Sequence, residues 1–447
     1  MKFRVRALYN ILFPVFFWLS SPYYALRMWR RGDWWAGFGG RFGRYDRSVK
    51  QALTNRQTIW LHAVSVGEVN LCLQLIRALE PRLPSMKIVV STTTTTGMAE
   101  LRRRLPAQVT KIYYPIDSRK AVARALAIVH PKAIVLVEAE IWPNFIWRAR
   151  KLGKPLFLVN ARMSDRSFPR YKKFGFLFRQ LFASFSGVGA QNEKDAARLR
   201  EIGCRPETIR VVGNLKFDAA AKPDERKAFD VNALLRQLGV PPDAPILVAG
   251  STHDGEEKIL ADIVKRLRAR FPKLFLILVP RHFERCKDVA QQLRSRGVKF
   301  IYRSEIPPDT RLREGEVECL LVNTTGELKF FYKCATLAFV GKSLTAVGGQ
   351  NPIEPAALGK AIVFGPNMQN FADVTRCFLS ENAAIQVSDA VELEKTLMEL
   401  LSNEPRRKEL GDNALKVVRQ NLGAVDRTVE MILENVQDRG IYLAPQK

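Results

Sequence analysis

From Thr58 onward the chain alternates short runs that are apolar on both faces with longer amphipathic stretches, and it does so in two successive series. The first series of runs covers 58–63, 87–91, 111–114, 133–137, 156–160, 187–190 and 209–212. A second covers 246–249, 274–279, 299–302, 318–322, 337–340, 361–364 and 384–387. A strand buried on both faces belongs in a sheet covered on both sides, and intervening helices supply the crossovers that parallel pairing requires. The expected fold class is α/β, with two doubly wound, Rossmann-like domains facing a central cleft. The pattern divides the chain into an anchor and basic interfacial segment at 1–35, a first domain at 36–218 and a polar linker at 219–232. A second domain at 233–427 and a C-terminal helix and tail at 428–447 complete it.

Charge narrows the partners. Lys plus Arg total 71 against 44 Asp plus Glu, a formal net charge of +27 that calls for an anionic surface, either nucleic acid or an acidic membrane leaflet. The amino terminus decides for the membrane. Residues 7–26, ALYNILFPVFFWLSSPYYAL, carry no charge, and as a helix they would span ~30 Å, about one hydrocarbon core. Pro14 and Pro22 are expected to kink it. Lys2, Arg4 and Arg6 precede it, and Arg27, Trp29, Arg30, Arg31, Trp34 and Trp35 follow, a mixture suited to anionic headgroups. The expectation is a membrane anchor and no nucleic acid. Six scattered cysteines without a CxxC pair fit a reducing compartment, and no DxD, HExxH or Cys/His ligand spacing calls for a metal or other cofactor.

In a doubly wound sheet ligands bind beyond the carboxyl ends of the strands, and the polar clusters fall there. Ser65, Gly67 and Glu68 follow the first strand, where Glu68 is either a general base for an acceptor hydroxyl or an acid favoured at a helix start. Thr94 and Thr95 lie in the run STTTTTG, which offers hydroxyls to a sugar or simply caps a helix. Glu138 ends an apolar strand and needs a charged partner or an electropositive substrate. Arg162 and Arg166 suit phosphate groups or form a solvated basic face, and Lys216 points a cation toward a leaving group. In the second domain Ser251, Thr252 and His253 open a helix, Arg281 after Pro280 is a phosphate clamp, and Thr325, Gly326 and Glu327 form a further turn. Asn351, Pro352, Ile353 and Glu354 then enter a helix where a carboxylate can hold ribose hydroxyls.

Read in order, HAVSVGEV, STTTTTG, VEAEIWPN, VNARMSDRS, AQNEKDAARL, GNLKFD, GSTHDGEE, VPRHFER, NTTGEL, AFVGKSL and GGQNPIEPAA resemble the 3-deoxy-D-manno-octulosonic acid (Kdo) transferases of lipopolysaccharide assembly, from the amino-terminal segment to about Arg427. The resemblance implies a GT-B glycosyltransferase that moves Kdo from CMP-Kdo to lipid A precursor. It further implies inversion, no metal, and a place on the cytoplasmic face of the bacterial inner membrane. Glu68 resembles the family's general base, and Glu138 and Lys216 its transition-state stabilisers. Pro280, Arg281, Thr325, Gly326, Glu327, Asn351, Pro352, Ile353 and Glu354 match its CMP-binding segments. Gln350, Lys342 and Pro355 depart from the His, Gly and Ala common at their positions. A basic face of Arg41, Arg44, Arg162, Arg166, Arg170, Lys172 and Lys173 would meet the phosphorylated acceptor.

Overall fold

Each of the fourteen apolar runs forms a strand in the computed structural model, which describes residues 2–29, 37–138, 141–165, 167–221, 230–307 and 309–437, with backbone alone for 2–4, 23–29, 66 and 219–221. In the first half, β1 (Thr58–His62), β2 (Lys87–Thr92), β3 (Thr110–Tyr113), β4 (Pro131–Val137), β5 (Leu156–Ala161), β6 (Gly187–Ala190) and β7 (Ile209–Val211) pair in parallel. Their order is β3-β2-β1-β4-β5-β6-β7. The second half repeats the plan with β8 (Ile246–Thr252), β9 (Phe275–Pro280), β10 (Phe300–Tyr302), β11 (Cys319–Leu321), β12 (Leu337–Val340), β13 (Ala361–Phe364) and β14 (Ile385–Gln386). These are also parallel, in the order β10-β11-β9-β8-β12-β13-β14. Strand order therefore reverses between β1 and β4 in one sheet and between β8 and β12 in the other, the two switch points where such sheets take ligands. Alternate residues of each strand feed two apolar layers. Ile59, Leu61 and Val135 enter one, and Trp60, Ile134 and Leu136 the other.

The chain divides into one unit of Met1–Ala219 with Gly423–Lys447 and another of Ala220–Leu422. The sequence reading ends the second domain at 427 and leaves a separate helix beyond it. In the structure the helix Ala424–Gln437 belongs to the first unit's core, where Val425, Val429, Met431, Ile432 and Val436 are buried. Each such side chain contributes roughly 1.5–3 kcal/mol by leaving water. Asp218 fixes the chain's return by accepting from Gly423 N at 2.7 Å and Val425 N at 2.6 Å, satisfying orphan donors at the helix start.

The amino-terminal segment is one helix, Lys2–Trp29, continuous through Pro14 and Pro22. One side docks on the first unit. Tyr9 packs edge-on against Trp147 at 5.8 Å and the Arg6 guanidinium lies over the same ring. The other side bares Leu8, Ile11, Leu12, Val15, Phe16 and Leu19, an exposed apolar stripe at helical spacing. No described helix is long and apolar enough to cross a membrane. Arg30, Arg31, Trp34 and Trp35 lie outside the described residues.

Candidate active site

In the first unit the two acidic candidates follow the strands flanking the switch point, Glu68 after β1 and Glu138 at the end of β4. Ser65 is the N-cap of the helix Val66–Leu79; its hydroxyl accepts from Glu68 N at 3.2 Å, while Glu68 Oε2 accepts from Val64 N at 2.8 Å. This reciprocal capping fixes the carboxylate at the helix start. Gly67 is exposed beside it. Thr94 caps the helix Thr95–Arg104 by accepting from Gly97 N and donates to Val64 O at 3.2 Å, so it ties the threonine turn to the Glu68 turn. A Cβ at Gly97 would lie 2.3 Å from Thr92 Oγ1, which is why the helix can approach β2 so closely. Thr95 is half-buried in the first turn of that helix.

Glu138 has a left-handed backbone, φ 60°, and its Oε1 lies 4.0 Å from Lys216 Nζ and 3.4 Å from Asn160 Nδ2. Lys216 follows β7, three strands away in the sheet order, and reaches Glu138 because residues 212–216 run back over the ends of β6 and β5. Buried amides guide that path. Asn214 Nδ2 donates to Gln191 Oε1, Gln191 Nε2 to Asn160 O, and Leu215 N to Asn160 Oδ1. Asn160 is itself left-handed, φ 52°, an arrangement that costs energy and is tolerated where the surroundings enforce it. Arg162 is half-buried, and Arg166 and Glu140 lie outside the described residues. Of the remaining basic face, Arg44, Arg170 and Lys173 are exposed, whereas Arg41 is spent on Thr93 O and the Tyr113 ring and Lys172 on Glu201.

The donor candidates of the second unit come from loops after four adjacent strands, β11, β9, β8 and β12, all at one edge because every pairing is parallel. Ser251 has φ 54°, and Thr252 is buried with its hydroxyl unpartnered. His253 N donates to Glu256 Oε2 at 2.8 Å. Pro280 ends β9; Arg281 N donates to Thr252 O and its side chain is exposed. Thr325 and Gly326 are exposed, and Glu327 pairs with Arg303 at 3.1 Å and accepts from Thr324. Asn351 Nδ2 donates to Glu354 Oε1 at 3.2 Å and Asn351 Oδ1 accepts from Ile353 N, so Asn351 to Glu354 fold as one turn. Sequence reasoning missed the residue that joins these loops. Glu256, fully buried, accepts from Lys342 N, Ser343 N and Leu344 N as well as from His253 N. Gly341 lets the two loops meet, since a Cβ there would lie 2.6 Å from Ser251 O. In GSTHDGEE the acid looks like an ordinary helix-start residue, and nothing local marks the partner loop.

Two buried groups of the first unit titrate away from their ordinary values. Burial pushes His62, stacked on Tyr114, down to about 3, against a bond to Ser91 O. Burial pushes the Asp117 carboxyl up to about 6, opposed by bonds from Asn144 N, Tyr9 and Phe145 N.

Residues 36–219 match the family model described as 3-deoxy-D-manno-octulosonic-acid transferase (kdotransferase). A 3-deoxy-D-manno-octulosonic acid transferase of Haemophilus influenzae is 32% identical over 380 residues, covering 84% of this chain and 86% of that one. The transferase of Bordetella pertussis is 32% identical over 429 residues, 92% of this chain and 96% of its own. Among solved structures, the UDP-GlcNAc 2-epimerase of Neisseria meningitidis bound to UDP-GlcNAc superposes with a TM-score of 0.57 at 12% identity, over 85% of this chain and all of that one, a likeness of GT-B-type fold. With broad identity to curated members and the family's motifs at the strand ends of both sheets, the chain belongs to the 3-deoxy-D-manno-octulosonic acid transferases.

Proposed function

We propose that this protein transfers Kdo from CMP-Kdo to a hydroxyl of lipid A precursor, inverting the anomeric centre without a metal ion. Family membership supports the reaction. The observation that supports the residue roles is the pair of carboxylates flanking the first unit's switch point, with Lys216 4.0 Å from Glu138. Glu68 takes the proton of the acceptor hydroxyl as its oxygen attacks the anomeric carbon, and the bond from that carbon to the CMP phosphate oxygen breaks. Glu138 meets the positive charge that develops on the sugar, and Lys216 the negative charge on the departing phosphate.

In the same reading CMP is held by Pro280, Arg281, Thr325, Gly326, Glu327 and Asn351 to Glu354, with Ser251 to His253 beside them. Arg281 suits this role because its guanidinium is exposed and has no carboxylate partner among the described residues. On the acceptor side Gly67, Thr95 and Arg162 are the candidates to meet the sugar or its phosphates, while Ser65 and Thr94 serve mainly as caps. The first helix lies in one leaflet of the cytoplasmic side of the inner membrane. Its exposed stripe supports immersion to the depth of an interfacial helix, and Arg44, Arg170 and Lys173 supply cations for anionic headgroups.

The test is CMP release by the detergent-purified chain, given CMP-Kdo with and without tetraacyl lipid A precursor, together with the mass of the lipid product. Acceptor-dependent release and a Kdo increment are expected. Protein that binds CMP yet releases none with both substrates present would sink the proposal.

A further inference from the structure

Asp117 follows β3, is 1% exposed, and lies where three segments meet. The helix Pro143–Lys151 begins just after the loop that carries Glu138, and Trp142 at its N-cap has no oxygen to offer. Asp117 supplies the cap from a distance. Its Oδ2 accepts from Asn144 N at 2.9 Å and its Oδ1 from Phe145 N at 2.8 Å, satisfying donors the helix leaves open. The same carboxylate accepts from Tyr9 of the first helix, whose hydroxyl is 2.8 Å from Oδ2. Asn144 Nδ2 completes the link by donating to Asp117 O at 2.7 Å and to Asn10 Oδ1 at 3.0 Å. The turn that bears Tyr9 and Asn10, the buried acid and the helix behind Glu138 are thus one hydrogen-bonded unit.

Glu138 needs such support. Its φ of 60° is one a side chain rarely adopts, and Asn160 reaches it only at 3.4 Å. Besides Asn160 and Lys216, the described residues on either side are fixed: Glu138 N donates to Val159 O, and the Asp117 cap holds the start of the helix that follows. The turn holding Tyr9 also exposes Leu8, Ile11 and Leu12, so a lipid surface that seats the stripe also seats Tyr9. We propose that Asp117 is a positioning residue for Glu138, and that Tyr9 and Asn10 make the seating of the first helix in a lipid surface part of the active geometry. This rests on the role given to Glu138 above.

Tyr9→Phe combined with Asn10→Ala cuts the link and leaves Asp117 in place. The full chain is placed in phosphatidylethanolamine–phosphatidylglycerol vesicles, and amide exchange at Asn144 and Phe145 is measured beside turnover. Exchange at those two amides is expected to quicken about tenfold. kcat falls about tenfold while KM for CMP-Kdo is unchanged, as a displaced but folded site would give. Asp117→Asn acts in the same direction and more strongly. Exchange that stays at the wild-type rate overturns the link, and faster exchange with unaltered kcat overturns the positioning role. A wild-type chain that transfers nothing brings down the functional reading and the positioning role with it, whereas exchange still decides whether helix and loop are joined.

Discussion

Glu68 and Glu256 stand at corresponding turns, each between the first strand of its unit and the helix that follows, and each accepts from the backbone just upstream, Val64 N and His253 N, at 2.8 Å. They differ in what else surrounds them. Glu256 is 0% exposed and takes three further N–H donors from a loop almost ninety residues away in sequence. Glu68 keeps 9% of its surface at the rim of the first sheet's switch point. A carboxylate saturated with buried donors at 0% exposure is a structural tie, whereas one that still reaches the surface is placed to meet a substrate. The same local pattern, an acid at a helix start after a parallel strand, therefore serves architecture in one half and, on the role proposed for Glu68, chemistry in the other.

Conservative exchange at the two positions separates those uses. Glu68→Gln keeps an oxygen for Val64 N, so the melting temperature should hardly move while turnover falls at least ~100-fold, the contribution of a general base. Loss of stability with retained turnover would reverse the assignment. Glu256→Gln should do the opposite in kind. Its amide nitrogen would face backbone donors, leaving buried N–H groups unpaired at about 1–3 kcal/mol each, so the second unit is expected to lose about 3 kcal/mol or more. Denaturant melts followed by a probe in that unit would measure it.

Acid should test the first unit next. His62, in the first unit, has its pKa lowered to about 3 by burial from an ordinary 6.5. The unfolded chain thus binds more protons than the native one between those values. Its contribution is complete above pH 6.5 and is lost as pH falls, at about 1.4 kcal/mol per unit. Asp117 acts in the contrary sense. Its carboxyl is raised from 3.8 to about 6, so the native state takes up the proton first and recovers stability between pH 6 and 3.8, over the narrower window. The two cancel between pH 6 and 3.8, so the net expectation is a first unit that weakens modestly on acidification, whereas His62→Gln leaves Asp117 unopposed and should gain stability as pH falls through that window.

The strands were legible because a run apolar on both faces has one plausible environment, and all fourteen lie where the pattern puts them. The turn chemistry was partly legible. A Ser or Thr before a helix announces a cap, and Ser65 and Thr94 are caps. What the chain's order conceals is partnership at a distance. The 3.6-residue spacing of Val425, Val429, Ile432 and Val436 announces a buried face but not that it returns to the first unit. Likewise Asp117 sits before an ordinary helix cap, Ser118, while its partners are Tyr9 and Asn144. The uncharged run at 7–26 has the length of a membrane span, yet its polar side chains mark a docking face and its remaining apolar ones a stripe.

The smallest effect sharpens the comparison at the backbone. Lys342, where the resembled family commonly has Gly, sits at φ 55°, and Glu138 sits at φ 60°. A side chain in this region costs roughly 1–2 kcal/mol that glycine avoids, although glycine gives back part through the entropy of the unfolded chain. Lys342 N already donates to Glu256, a bond that needs no side chain. Lys342→Gly is therefore expected to stabilise the second unit by about 1 kcal/mol, a rise of about 2–4 °C in its melting temperature. Glu138→Gly relieves the same strain in the first unit, and by the role proposed for its carboxylate it should abolish most turnover. If both variants gain stability and only the second loses activity, strain at Lys342 is incidental and strain at Glu138 is maintained for the site. If Lys342→Gly also impairs transfer, the lysine contributes to the donor loops directly, and the second unit's turn is less purely architectural than Glu256 makes it.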